Sequence, residues 1–254
     1  MNQATKELTY SQQDLNTYAG IADYYDVLMT NGYYDYDEIT RDLLEILGSR
    51  QRVLELGVGT GLVAEGLVNR NPKLTLTGLD NTESMLVQAE KRLGDKIKYE
   101  LQDVTTLALD RTFEASFSVG GCWYFIDAGD SLEFCSHIDD RKTCEDSLRR
   151  VIDHLEPGGV LSLALQGTHD NYSKPLTDDL TYSQTIHDEG DGLFTKQYTF
   201  TKENEVVAEQ FYRYLVVSEK EIHRFFGELG CKPVQLNGLN GLNPTRKFFT
   251  YVKQ

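Results

Sequence analysis

Residues Val53 to Gly61 read V-L-E-L-G-V-G-T-G, a short apolar run broken by one acid and followed by glycines at every second position. No other stretch narrows the possible folds so far. An apolar run of this length ending in glycines reads as a strand buried on both faces, as in a parallel sheet. Gly57, Gly59 and Gly61 let the backbone turn sharply and approach a ligand without interference from a Cβ. Leu62 to Val68 is helical in pattern, so its free N–H groups point at whatever sits in the loop. The spacing is G-x-G-x-G rather than the G-x-G-x-x-G of a dinucleotide site, and Glu55 stands two residues ahead of the first glycine. A carboxylate there suits an ammonium group better than a pyrophosphate.

The order of elements carries the argument outward. Asp37 to Leu47 places Ile39, Leu43, Leu44, Ile46 and Leu47 at helical spacing, and Gly48 supplies a stop. Strand-like segments then alternate with helices. The strands are Arg52 to Leu56, Leu74 to Leu79, Ile97 to Leu101, Ala115 to Val119 and Val160 to Leu165; the helices run to Val68, from Glu83 to Leu93 and from Arg141 to Leu155, where Pro157-Gly158-Gly159 breaks the pattern. This alternation predicts an α/β fold with a doubly wound, Rossmann-like, mostly parallel sheet and a ligand outside the strand carboxyl ends. Beyond Leu165 the pattern changes. Leu180 to Val217 carries two turn signals, Asp188-Glu189-Gly190-Asp191-Gly192 and Lys202-Glu203-Asn204, and reads as an antiparallel three-strand insertion. A helix from Glu219 to Leu229 and a strand from Lys247 to Val252 return the chain to the sheet. The expected organisation is an N-terminal arm and helix (1–48), a Rossmann-like domain (49–179 and 218–254) and a lid or oligomer insertion (180–217).

Composition removes several classes of function. With a net charge of -15, the surface field repels nucleic acid, so no nucleic-acid partner is expected. There is no apolar run long enough to span a bilayer and no basic-then-apolar N-terminal block, which predicts a cytoplasmic protein without a membrane partner. Cys122, Cys135, Cys144 and Cys231 are irregularly spaced with no C-x-x-C pair, so reduced thiols and no metal site are expected.

Downstream acids extend the loop into a constellation. Asp80 ends the second strand about 20 residues beyond the glycines, where a carboxylate accepts two ribose hydroxyls; it also suits a helix cap before Glu83. Asp103, after the third strand, is positioned to accept from an adenine amino group or to cap a turn, and Met85 and Val104 to cover the ring faces. With Glu55, Gly57, Gly59, Gly61 and the Leu155-Glu156-Pro157-Gly158-Gly159 break, these features resemble class I S-adenosylmethionine-dependent methyltransferases over roughly residues 52–165. The resemblance implies S-adenosyl-L-methionine as cofactor, S-adenosyl-L-homocysteine as product, and Glu55 facing the amino end of the methionine moiety.

The flanks resemble small-molecule enzymes of that family. Tyr18-Ala19-Gly20-Ile21-Ala22-Asp23-Tyr24-Tyr25-Asp26 looks like their N-terminal arm, and His169-Asp170-Asn171-Tyr172 is similar to the H-R-N-Y segment of glycine N-methyltransferases. Amino-sugar N,N-dimethyltransferases share the arm and the insertion. By that placement Tyr25 lies near the cofactor, while Tyr33, Tyr36, Trp123, Tyr124, Asp170 and Asn171 line the acceptor. Asp170 stands where the glycine enzymes hold a substrate carboxylate with arginine, so an acceptor with a cationic or hydroxyl-bearing group fits better. His137 and His169 are candidate bases, and Tyr36 of the arm is a further catalytic candidate. The sequence therefore predicts methyl transfer to a small molecule, nitrogen slightly preferred, in a possible homo-oligomer. An O- or C-methyltransferase of a specialised metabolite and a non-transferring S-adenosylmethionine-binding protein stand as alternatives.

Overall fold

The computed structural model describes residue 15 and residues 18–234 and 247–254. In chain order the elements are α1 (Ala22–Thr30), α2 (Tyr36–Leu47), β1 (Arg52–Leu56), α3 (Leu62–Arg70), β2 (Thr75–Asp80), α4 (Glu83–Leu93), β3 (Lys98–Leu101), β4 (Phe113–Ser118), β5 (Trp123–Asp127), β6 (Leu132–Ser136) and α5 (Arg141–Asp153). Then follow β7 (Leu155–Gln166), β8 (Tyr172–Pro175), β9 (Leu180–Gly190), β10 (Leu193–Lys202), β11 (Glu205–Ser218), α6 (Glu219–Glu228), β12 (Cys231–Pro233) and β13 (Phe248–Lys253). Among the described residues no helix is long and apolar enough to cross a membrane.

A hydrogen-bonded path runs β3-β2-β1-β4-β7-β5-β6-β11-β10-β9-β8, with β13 on β7 and β12 on β13. From β3 to β5 every pairing on this path is parallel, the mostly parallel α/β sheet that the alternating pattern predicts. β1 lies between β2 and β4, so the strand order reverses beside it, and the crevice at its carboxyl end is where such sheets hold ligands. Period-two alternation sorts β1 between two layers. Leu54 and Leu56 pack with Leu148 and Val151 of α5 and Ile222 and Phe226 of α6. Val53 packs with Leu43 of α2, Leu67 of α3 and Leu86 of α4. Each fully buried aliphatic side chain contributes about 1.5–3 kcal/mol.

Two expectations change. The segment between β4 and α5, to which the alternating pattern assigns no element, contains the antiparallel hairpin β5–β6. Its runs W-Y-F-I and L-E-F-C are apolar apart from Glu133 and are separated by a stretch that holds Asp127-Ala128-Gly129-Asp130. β6 pairs in turn with β11, which ties the long antiparallel strands to the parallel region by backbone hydrogen bonds. The second change is at Pro157-Gly158-Gly159. Leu155 already pairs with Phe113, and the next pair is Val160 with Ala115, so the intervening residues bulge out of β7 rather than precede it. Helix α5 accordingly stops at Asp153. The hairpins β9–β10 and β10–β11 turn on Asp191-Gly192 and Glu203-Asn204, all at positive φ, the arrangement of two-residue turns that match strand twist.

Candidate active site

The turn after β1 is held by β2. Gly57 and Val58 both donate their N–H to the Leu79 carbonyl, at 2.8 and 2.9 Å. Asp80 Oδ2 accepts from Gly59 N–H at 2.8 Å and Oδ1 from Thr82 N–H at 2.9 Å. At Gly57, with φ +72, a Cβ would lie 2.6 Å from Gly121 Cα, so this glycine lets the loops after β1 and β4 cross. At Gly59, with φ +56, a Cβ meets only the Tyr25 ring, at 4.0 Å. Gly61 serves another purpose: a Cβ there would sit 2.8 Å from Leu93 Cδ1, so the residue packs α3 against α4.

Helix α1 is latched onto this turn. Thr60 Oγ1 donates to Asp26 Oδ1 at 2.5 Å, and Arg92 of α4 pairs with Asp26 Oδ2. The same guanidinium donates to the Thr60 carbonyl at 2.9 Å and reaches Glu65 at 3.1 Å. Asp26 of the arm is thereby held to the glycine turn by both Thr60 and Arg92. Tyr25 rides on that helix.

Below the arm lies a cavity of about 360 Å³, within the usual size range of small-molecule sites. Of the predicted cofactor residues, Tyr25, Gly57, Gly59, Asp80, Met85, Asp103 and Val104 form its wall. Asp103 Oδ1 accepts from Thr105 N–H at 2.8 Å and Oδ2 from Asn81 Nδ2 at 3.3 Å, so the carboxylate both caps a turn and faces the cavity. Asp140, which caps α5 by accepting from Thr143 N–H at 2.8 Å, closes another side together with Thr143. Gly61 and Glu55 are not in the wall. Glu55 is buried, and its Oε2 has no hydrogen-bond partner among the described residues. Burial, and secondarily the nearby Asp80, pushes the Glu55 carboxyl well above the usual range. Asp80 is also raised by burial, against which the amides of Gly59 and Thr82 act.

A narrow chamber of about 20 Å³ shares Tyr18, Tyr25 and Gly120 with that cavity. A third cavity, of about 600 Å³, shares Tyr33, Tyr34 and Gln166 with the chamber. The three therefore form a series. Met29, Tyr124, Lys196, Tyr198 and Tyr212 complete the chamber wall, and the hydroxyls of Tyr124 and Tyr212 are hydrogen-bonded to each other.

The predicted acceptor residues divide. Tyr33 and Tyr124 line the chamber, His137 the first cavity and His169 the third. The His137 ring lies 4.3 Å from that of Tyr212. Burial, then the charge of Lys196, lowers His137 to about 3; the same causes lower His169 to about 2. Both imidazoles are neutral at physiological pH and hold an added proton poorly. Tyr36 packs 5.9 Å from Tyr34 without entering the wall of any of the three cavities. Trp123 is fully buried in the core with Cys144 and Leu148. Asp170 is exposed, with its carbonyl accepting from Gln184 Nε2 at 2.6 Å, and Asn171 Oδ1 accepts from Ile186 N–H at 2.7 Å. These two tie the start of β8 to β9 and do not meet the cavities.

Sequence reasoning missed Tyr18, Tyr34, Lys196, Tyr198 and Tyr212. The available signal was a two-residue period: Lys196, Tyr198 and Phe200 on β10 and Tyr212 and Tyr214 on β11 share an inward face, with a lysine among aromatics.

Residues 54–161 match the family described as a methyltransferase domain, a stretch that includes the glycine turn, Asp80 and Asp103. The trans-aconitate 2-methyltransferase of Variovorax paradoxus is 32% identical over 145 residues, 55% of this chain and 48% of that protein. The enzyme of the same name from Deinococcus radiodurans is 28% identical over 138 residues, 54% and 46%. The alignments thus span about half the length of these curated relatives. Among solved structures, the CcbJ methyltransferase from Streptomyces caelestis is similar with TM-score 0.72 at 18% identity, over 96% of this chain and 98% of that one. The sugar N-methyltransferase KedS8 from Streptoalloteichus is similar with TM-score 0.66 at 17% identity, over 100% and 99%. At these identities the likeness establishes the shared Rossmann-like fold.

Proposed function

We propose that the protein transfers a methyl group from S-adenosylmethionine to a small-molecule acceptor, with an amine nitrogen as the receiving atom. The observation that carries this reading is the row of cavities: a nucleotide-sized space at the glycine turn and a separate, larger cavity both share walls with a small tyrosine chamber between them. The wall fits the cofactor. Asp80 and Asp103 retain lone pairs for hydroxyl and amino groups beyond those their backbone and Asn81 contacts use, and Met85 and Val104 supply apolar surface. The buried Glu55 Oε2 beneath the turn has hydrogen-bonding capacity to spare for an ammonium. Bound S-adenosylmethionine supplies an electrophilic methyl group on a sulfonium. Tyr18 and Tyr25 stand where the first cavity meets the chamber, and aromatic faces attract a cation without competing as nucleophiles. Burial pushes the Tyr25 and Tyr33 phenols further above their ordinary range, so they remain neutral. Holding the acceptor in line with the methyl carbon is most of the protein's work.

Nitrogen is preferred on two grounds: the chamber is walled by neutral phenols and one amine, and a sugar N-methyltransferase shares the fold along the whole chain. A carboxylate oxygen is the second reading, favoured by the name of the trans-aconitate relatives and by Lys174 and Lys247 in the outer cavity wall. The test is release of S-adenosylhomocysteine with nucleotide-linked amino sugars, simple amines and polycarboxylates offered separately. Turnover with amines supports the proposal. Turnover with carboxylates alone replaces it with the second reading, and cofactor binding without release under every acceptor identifies a non-transferring binding protein.

A further inference from the structure

We propose that Lys196 is the proton acceptor of the transfer chamber: its ε-amino group, enclosed between the cofactor cavity and the outer cavity, takes the proton that an amine must lose before it is methylated. The inference rests on the reading given under Proposed function. Lys196 is 1% exposed on β10, and its nitrogen lies 5.7 and 5.6 Å from the ring centroids of Tyr198 and Tyr212. From the sheet, Tyr124, Cys135 and Tyr212 face it; from the arm, Tyr18, Tyr25, Tyr33 and Tyr34 close the space. His137 and His169 sense its charge from the first and third cavities. Among the described residues no carboxylate lines that enclosure. A lysine head group held there pays a desolvation penalty only when protonated.

Besides Lys174 and Lys247 in the outer cavity wall, three nitrogen bases border the path, and their environments separate them. His137 and His169 are lowered to about 3 and about 2 by burial. Burial lowers Lys196 to about 7, with Cys135 acting weakly in the opposite direction. The Cys135 thiol is itself raised to about 12 by burial and stays neutral. A general base works best when its conjugate acid titrates near the operating pH; of these three, Lys196 meets that condition.

The step balances without another reactant. The acceptor's ammonium N–H gives its proton to the Lys196 Nζ lone pair, freeing the acceptor nitrogen pair. That pair forms the N–C bond as the C–S bond breaks, its electrons remaining on sulfur. The proton on Lys196 leaves to water through the outer cavity, and one proton is released per methyl group transferred.

Two measurements test this. The first is NMR titration of protein carrying carbon-13 lysine, with the Lys196 resonance assigned by its loss in Lys196→Arg. A midpoint near 7 is expected; one in the ordinary lysine range near 10.4 overturns the proposal. The second compares wild type with Lys196→Met and Lys196→Arg on an amine acceptor that the wild type turns over. Both variants should lose about 10²–10⁴-fold in kcat, along with the wild-type rise in kcat/KM through pH 7, while calorimetric S-adenosylmethionine affinity stays within roughly threefold. Arginine keeps the charge but gives up no proton in this range, so recovery of activity in Lys196→Arg means that charge alone is used and overturns the assignment. If Lys196→Met does not fold, Lys196→Arg and the titration still decide. A wild type that binds cofactor but methylates no amine removes the functional reading and this inference together, whereas an active wild type matched by an active Lys196→Met removes this inference alone.

Discussion

Replacing Asp26 with alanine should weaken S-adenosylmethionine binding by about 5- to 30-fold while leaving the sheet intact, because Asp26 connects the arm to the glycine turn. Its carboxylate accepts from Thr60 at 2.5 Å and pairs with Arg92, the side chains being 38% and 23% exposed. At that exposure solvent screening limits the ion pair to about 0.2–1 kcal/mol. The hydrogen bond from Thr60 to a partly screened carboxylate adds about 1 kcal/mol. Their sum, roughly 1–2 kcal/mol, is the cost of releasing the arm, and at 1.4 kcal/mol per tenfold it gives the stated loss of affinity. Thermal stability should fall by only about 2–8 °C for a chain of this size. The assay is titration calorimetry of cofactor into wild type, Asp26→Ala, Thr60→Ala and the double variant. The cycle should return a coupling of about 1 kcal/mol between Asp26 and Thr60. An Asp26→Ala protein that binds within twofold of wild type would show that the arm is not latched through this carboxylate.

Other consequences follow from the same geometry. Gly59→Val places a branched side chain at φ +56 beside Tyr25 and should abolish cofactor binding by dialysis; wild-type affinity would contradict the assigned turn. Asp80→Ala leaves the Gly59 and Thr82 amides unpaired, about 1–3 kcal/mol each, and should lower both melting temperature and affinity. Exchanging His137 and His169 together for glutamine should lower kcat by less than about tenfold, since neither holds a proton near neutral pH; a loss approaching the roughly 10²–10⁴-fold expected of a base would restore them to that role. Their folded values of about 3 and about 2 lie below the unfolded 6.5, so the stability they contribute is complete above pH 6.5 and is lost as pH falls toward those values. The melting temperature of wild type should therefore drop more steeply below pH 6.5 than that of the double variant. Glu55 behaves oppositely: its raised value means that its contribution is complete below 4.5 and is lost as pH rises through the folded value, so Glu55→Gln should flatten that limb in urea titrations.

The parallel half of the fold was legible because its signals are local. Apolar runs, helix periods and the glycine turn recur within a few residues, and Asp80, Met85, Asp103 and Val104 stand beside strand ends that the alternation locates. The acceptor side was not legible in the same way. The β5–β6 hairpin is two short apolar runs in a stretch that also reads as loop, and without it the meeting of β6 with β11 cannot be inferred. Lys196 enters the chamber because β10 and β11 turn their aromatic face toward the arm; a two-residue period marks that face in the sequence, but what the face meets is decided by long-range packing. Asp170 and Asn171 rest on the resemblance of a four-residue segment, yet exposure and backbone contacts at the β8–β9 edge decide where they lie. Trp123 illustrates the opposite error, since a lone tryptophan after a strand reads as a wall residue but fills the core.

Incubation with carbon-13-methyl S-adenosylmethionine and an amine acceptor, followed by NMR of the products, tests the central claim most directly. The predicted result is a labelled methyl group on nitrogen with stoichiometric S-adenosylhomocysteine, absent in Gly59→Val. Label on a carboxylate oxygen, or intact bound cofactor with every amine, would contradict it.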